Sequence, residues 1–204
     1  MRPLRKVYTM TATDADGIGE TQTPLAAGDL VIDGVLASGG VVTLSIGQHV
    51  TITSVGDDSG RTFTVYGENN SGAPITEAIT GVSAGAATGT LNFKKVTQVT
   101  TDAATADAIT IGIEGTAEFD WVPLDHFIAP FEYAYYVNIG TATYQVESTL
   151  DDPQTTTPIV NATVKASGGS DGGGTSTAPA TAIRIKVTAF TSGDIVLNVL
   201  QSGR

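Results

Sequence analysis

Gly81-Val82-Ser83-Ala84-Gly85 spells the G-x-S-x-G pattern, in which a serine on a strained strand-to-helix turn becomes a nucleophile. That chemistry needs a helix after the serine, whose N-terminal amides help to hold an oxyanion. The next residues, Ala86-Ala87-Thr88-Gly89-Thr90, are too few and too rich in Gly and Thr to begin one. His126 is the only histidine downstream. The segment therefore reads as a small-residue β-turn, and no hydrolase is expected from it.

Asp14-Ala15-Asp16-Gly17 resembles the opening of a calcium loop, where alternating carboxylates converge on one centre and glycine allows the turn. The register of such a loop puts its closing bidentate acid at Leu25, so an acidic surface loop is the expectation. Asp57-Asp58 and Asp151-Asp152 are acid pairs on turns, and adjacency on a turn does not create two carboxyls facing each other across a substrate. His49 and His126 have no second histidine or acid at ligand spacing. Gly168-Gly169-Ser170-Asp171-Gly172-Gly173-Gly174 lacks the Lys-Ser/Thr ending of a phosphate-binding loop. No catalytic, metal or cofactor-binding residue is assigned.

The elements that carry these residues are strands. Short β-branched runs with period-2 alternation lie between Gly, Asp and Asn punctuation. They fall at Asp29–Leu36, Val41–Ile46, His49–Val55, Thr62–Gly67, Ile75–Thr80, Thr90–Thr100 and Ile109–Glu114. The remainder are Phe119–Val122, Tyr133–Ile139, Thr143–Leu150, Pro158–Lys165, Ala182–Ala189 and Asp194–Gln201. No stretch has convincing helical periodicity. Gly56-Asp57-Asp58-Ser59-Gly60 and Glu68-Asn69-Asn70-Ser71-Gly72 supply hairpin-turn chemistry, which predicts two successive hairpins.

At 204 residues the chain can bury a substantial core as one large β domain or two smaller ones. With no cysteine, disulfides, thiolate zinc sites and cysteine nucleophiles are excluded. Ten basic and 21 acidic side chains give a net charge of −11, which argues against nucleic acid and anionic membrane as partners. No apolar run approaches a membrane span or a signal peptide, so synthesis in the cytoplasm is expected. Arg2, Arg5 and Lys6 form a small basic arm on this acidic body. The arm is expected to be disordered until it meets an acidic partner surface.

Composition shifts near Gly115–Glu118. Of 13 aromatic residues, 7 lie between Phe119 and Tyr136, Trp121, Phe127 and Phe131 among them. They are expected to form the core of a second module, with a share at a subunit interface or on a stacking platform. The boundary predicts an N-terminal β module at 1–115 and a C-terminal β-sandwich module at 116–204. Residues 166–181, rich in Gly, Ser and Thr, are expected to form a flexible loop. The fold class is all-β: two antiparallel sandwich or barrel-like modules, with jelly-roll and immunoglobulin-like topologies both open.

Trp121-Val122-Pro123-Leu124-Asp125-His126-Phe127-Ile128-Ala129-Pro130-Phe131, the run from Gly140 to Pro153, and Ala182 to Gln201 resemble a module of small virion structural proteins of tailed bacteriophages. Asp57 to Gly67, Ile75 to Gly81 and Phe93 to Thr100 are similar to Thr/Gly-rich β-domains of phage head and tail proteins. The resemblance implies a non-enzymatic virion component, foremost a multi-copy capsid decoration or cement protein and a homo-oligomer. Its partners would be the major capsid protein or another virion protein. It implies no catalytic residue. The alternative is a tail or fibre component that binds a receptor or glycan through Trp121 and Tyr135 or Tyr136. For the favoured reading the candidate interface residues are Arg2, Arg5, Lys6, Trp121, Phe127 and Phe131.

Overall fold

The computed structural model describes residues 3–125, 131–153 and 158–201, and all regular structure among them is strand. Every strand pairing is antiparallel, so the chain is all-β. Internal contacts divide it into two compact units, Thr11–Gly115 and the rest of the described chain. The first described strand, β1 (Leu4–Thr9), belongs to the latter.

Unit Thr11–Gly115 contains β2 (Asp14–Gln22), β3 (Gly28–Asp29), β4 (Ala37–Ser38), β5 (Val41–Gln48) and β6 (Val50–Asp57). It continues with β7 (Thr62–Glu68), β8 (Pro74–Thr80), β9 (Ser83–Thr88), β10 (Phe93–Thr101) and β11 (Ile109–Ile113). One sheet runs β4-β5-β10-β7-β8, with β3 also on β10, and the other runs β2-β11-β6-β9. Alternation sends one set of side chains inward from each sheet. Val42, Leu44, Phe63, Val65 and Val99 from the first join Ile18, Ile52, Ile109 and Ile111 from the second in one buried cluster. Each such side chain contributes about 1.5–3 kcal/mol of burial free energy.

The other unit adds β12 (Ala117–Glu118), β13 (Val122–Pro123), β14 (Tyr133–Asn138), β15 (Thr141–Thr149) and β16 (Ala162–Gly168). It ends with β17 (Gly172–Ser176), β18 (Ala182–Ser192) and β19 (Asp194–Gln201). A four-stranded sheet has the order β1-β19-β14-β17, and a second sheet runs β12-β18-β15-β16 with β13 also on β18. The inward rows Tyr133, Tyr135, Val137 and Ile195, Leu197, Val199 are buried, as are Tyr144, Val146, Ile183 and Ile185 from the second sheet. The Tyr135 hydroxyl donates to the Val164 carbonyl (3.4 Å), tying the first sheet to the second.

Several expectations need correction. The basic segment forms β1, in register with β19 from Leu4↔Val199 to Thr9↔Asp194, so its described residues are ordered and lie with the C-terminal unit. The 166–181 stretch is not one loop. Gly172–Ser176 is a strand paired with β14, because glycine lets the chain lie close against Tyr135 and Tyr136: a Cβ at Gly173 would meet the Tyr135 carbonyl. The first of the two expected hairpins does not form, since β6 and β7 lie in different sheets. The turn between them is pinned instead to residues 102–108, where the Asp58 carboxylate accepts the Ala106 N–H (2.7 Å) and Arg61 Nε donates to the Ala104 carbonyl (2.7 Å). Asp29–Leu36 holds only the end of a two-residue strand. Elsewhere this segment lies against β2 through bonds such as Gly34 N–H to the Ile18 carbonyl (3.0 Å). Pro158–Lys165 becomes a strand only from Ala162.

Candidate functional site: an open sheet face

Ser83 is exposed at the start of β9, and the chain runs on from it as strand rather than helix. The next residue, Ala84, has φ 46°, in the region that costs a residue with a Cβ about 1–2 kcal/mol. Asp14 and Asp16 lie in β2. A hydrogen bond with the Asp14 carboxyl, and its negative charge, raise the Asp16 pKa from its ordinary value. Asp57 Oδ1 accepts from the Ser59 hydroxyl (2.7 Å) and N–H (3.1 Å), which lowers its pKa. Asp151 accepts the Ile159 N–H (2.9 Å). These acids organise turns and strand ends. The His49 carbonyl accepts the Glu114 N–H (3.0 Å), and His126 lies outside the described residues. Among the described residues no group of three His, Asp or Glu is placed to hold a metal. A concavity of about 340 Å³ lined by Gly140, Thr141, Ala142, Thr143, Gly169, Ala189 and Thr191 offers hydroxyls, methyl groups and backbone but no titratable side chain.

Arg2 and Phe127 lie outside the described residues. Phe131 meets the Tyr133 ring edge-on, centroids 5.8 Å apart. Trp121 is half-buried and lies over the Arg184 guanidinium, 4.6 Å from its ring centroid. Register explains the rest of that cluster: Arg184 on β18 stands opposite Glu147 on β15, and Lys186 opposite Glu118. Arg184 Nε bonds Glu147 (2.7 Å), its NH1 bonds Glu118 (2.8 Å), and Lys186 bonds Glu118 (3.0 Å).

Arg5 and Lys6 sit on β1, an edge of the four-stranded sheet. Alternation puts Arg5, Val7 and Thr9 on the face opposite the core. The register then builds rows across that outer face. Arg5 lies beside Asn198 and Tyr136; Val7 beside Val196 and Asn138; Ala134 beside Leu200 and Thr175. No register shift interrupts these three pairings. Val7 is 45% exposed, Tyr136 48% and Leu200 50%. At the far end Thr9 donates to Asp194 (2.8 Å), and Asp171 accepts from the Ile139 N–H (2.8 Å) and the Asn138 amide (2.9 Å). Those bonds, the Ile139 N–H first, lower the Asp171 pKa. Along the strands the rows run Leu200 with Ala134, then Arg5 with Tyr136, then Val7 with Val196 and Asn138, beside which Asp171 stands, and last Thr9 with Asp194, so the face carries a cation at Arg5 and anions at Asp171 and Asp194.

Val7 and Leu200 were absent from the sequence-derived candidates. The alternating Val196, Asn198, Leu200 carries the signal for the latter, but which face is open depends on the pairing of β1. Tyr135 and Tyr136 separate cleanly, the first buried and the second exposed.

The fold and this surface define an all-β, sandwich-like protein with an amphipathic sheet face turned to solvent. No family model matches the chain, and neither the curated proteins nor the solved structures contain a match to it.

Proposed function

We propose that this chain is a non-enzymatic structural protein of a bacteriophage virion, a multi-copy capsid decoration or cement protein made in the host cytoplasm. Its partners are the major capsid protein or another virion protein. The observation that carries the assembly role is the outer face of the β1-β19-β14-β17 sheet, where Val7, Tyr136 and Leu200 remain about half exposed beside charged side chains. Exposed apolar and aromatic side chains set among polar ones are what protein interfaces use. The placement in a virion comes from the resemblance of the Trp121–Phe131, Gly140–Pro153 and Ala182–Gln201 segments to phage structural modules.

Absence of cysteine suits a particle that must persist without repair, and a charge of −11 keeps free copies soluble. The reading is tested by quantifying the chain in purified particles and locating it by imaging. A fixed ratio to the shell subunit and density on the lattice are expected. A few copies at a tail tip would transfer the chain to the receptor-binding class, and absence from particles would end the virion reading.

A further inference from the structure

We infer that the outer face of the β1-β19-β14-β17 sheet takes a second copy of this chain, packed face to face about a two-fold axis that runs across the strands. The inference deepens the assembly role proposed above and rests on it. Its ground is the polarity of the face. Arg5 and Thr9 are separated along β1 by about 13 Å at the usual strand rise, and Asp194 stands opposite Thr9. Both charged side chains are exposed. A two-fold axis through the Val7, Val196 and Asn138 row exchanges the two ends. Arg5 of each copy then faces the Asp194 row of the other, one strand spacing to the side, within reach of a guanidinium.

The middle of the face fits the same operation. Val7 and Val196 meet their own counterparts on the axis. Tyr136, in the Arg5 row, comes over the opposite end of the face, where the β14 neighbour of Asp194 is Gly140, joined to it by a backbone bond of 3.1 Å. Glycine presents no side chain against the incoming ring. Such an interface is isologous and closes at two copies. The net charge of −11 disfavours random association, and in this arrangement two Arg5–Asp194 attractions stand against one like-charge approach, that of Asp171 beside the axis row toward its own counterpart.

Size sets the strength. Four strands about 4.8 Å apart and the five residues of β19 that overlap about this axis, 194–198, at about 3.4 Å each give a patch of roughly 19 by 17 Å, about 650 Å² buried by a pair. That is below the size of standard specific interfaces, so dimers form only at high concentration.

Sedimentation of the full chain across a concentration series tests this. The unaltered protein is expected to move from monomer to dimer, less readily in high salt. Arg5→Glu alone and Asp194→Lys alone should each weaken association by about tenfold, and the double reversal should restore it. Tyr136→Ala, an exposed position that leaves the fold intact, should weaken it as well. A wild-type monomer at every concentration, or a double reversal no better than the single ones, overturns the inference. Particles carrying a chain that is monomeric when free would leave the virion reading standing and remove only the dimer. A salt-sensitive dimer from a chain absent from particles would do the reverse.

Discussion

At the scale of single residues, the most informative groups are those whose chemistry the fold has changed. Tyr8 stacks on Phe119, with ring centroids 3.9 Å apart and planes at 25°, and burial together with the charge of Asp120 pushes its phenol up to about 12. An unfolded tyrosine ionises near pH 10. Between about pH 10 and 12 the unfolded chain therefore releases a proton that the folded chain keeps, and stability falls as pH rises. The loss attributable to Tyr8 approaches about 2–3 kcal/mol by pH 12. Denaturant titrations from about pH 9 upward should show it, and Tyr8→Phe should remove that share. Arg184 offers a second test, because Glu147 is only 5% exposed beneath it. Arg184→Met strands that carboxylate and should cost about 2 kcal/mol, between a surface and a buried ion pair. Trp121, the single tryptophan, reports the transition by fluorescence. Because Trp121 lies on Arg184 rather than in the core, Trp121→Ala should cost about 1–2 kcal/mol, below the 3–5 kcal/mol typical of a buried ring.

At the scale of elements, β1 and β9 make different predictions. Removing residues 1–9 strips β19 of its outer partner and Phe119 of its stacking ring. The Trp121 signal should then melt at lower denaturant, while the Thr11–Gly115 unit keeps its own midpoint. In β9, Ala84→Gly relieves the left-handed strain and adds chain entropy to the unfolded state, leaving about 0.5 kcal/mol of net stabilisation. A lower thermal midpoint for that variant would contradict the reading. The strands with alternating large residues were legible in sequence: Asp194–Gln201 has the expected bounds, and Thr62–Gly67 and Tyr133–Ile139 differ by one residue at one end. Among those missed, Asp14–Gln22, Ser83–Thr88 and Gly172–Ser176 are built largely from small or acidic residues with little strand propensity. They are held by neighbours, as β17 is by the row from Tyr133 to Val137. The open face was hidden for a related reason. Arg5, Lys6 and Val7 form an edge only after pairing with residues nearly two hundred positions away, as Leu4↔Val199 shows.

At the scale of the molecule, one unit interrupts the other: Thr11–Gly115 lies in sequence between β1 and the strands with which β1 is grouped. The entry and exit of that unit are held by Gln48, which is fully buried. Its Oε1 accepts the Thr11 N–H (2.8 Å), and its Nε2 donates to the Thr11 and Glu114 carbonyls (both 2.8 Å). Gly115 N–H adds a bond to the Thr13 hydroxyl (2.8 Å). Residues 11–115 expressed alone should therefore fold, with a cooperative transition and dispersed amide resonances. Gln48→Leu should cost about 1–3 kcal/mol by leaving the part-buried Thr11 and Glu114 backbone groups without this partner. The β1–β19 pairing also imposes an order on biosynthesis. β1 is translated before every other described strand and its partner after all of them, so the interrupting unit can fold while β1 still waits. A nascent chain halted before Asp194 has no β19, and hence no outer face on which Arg5, Tyr136 and Leu200 come together. The outer face is thereby tied to the synthesis of β19, and any product that stops before Asp194 lacks it.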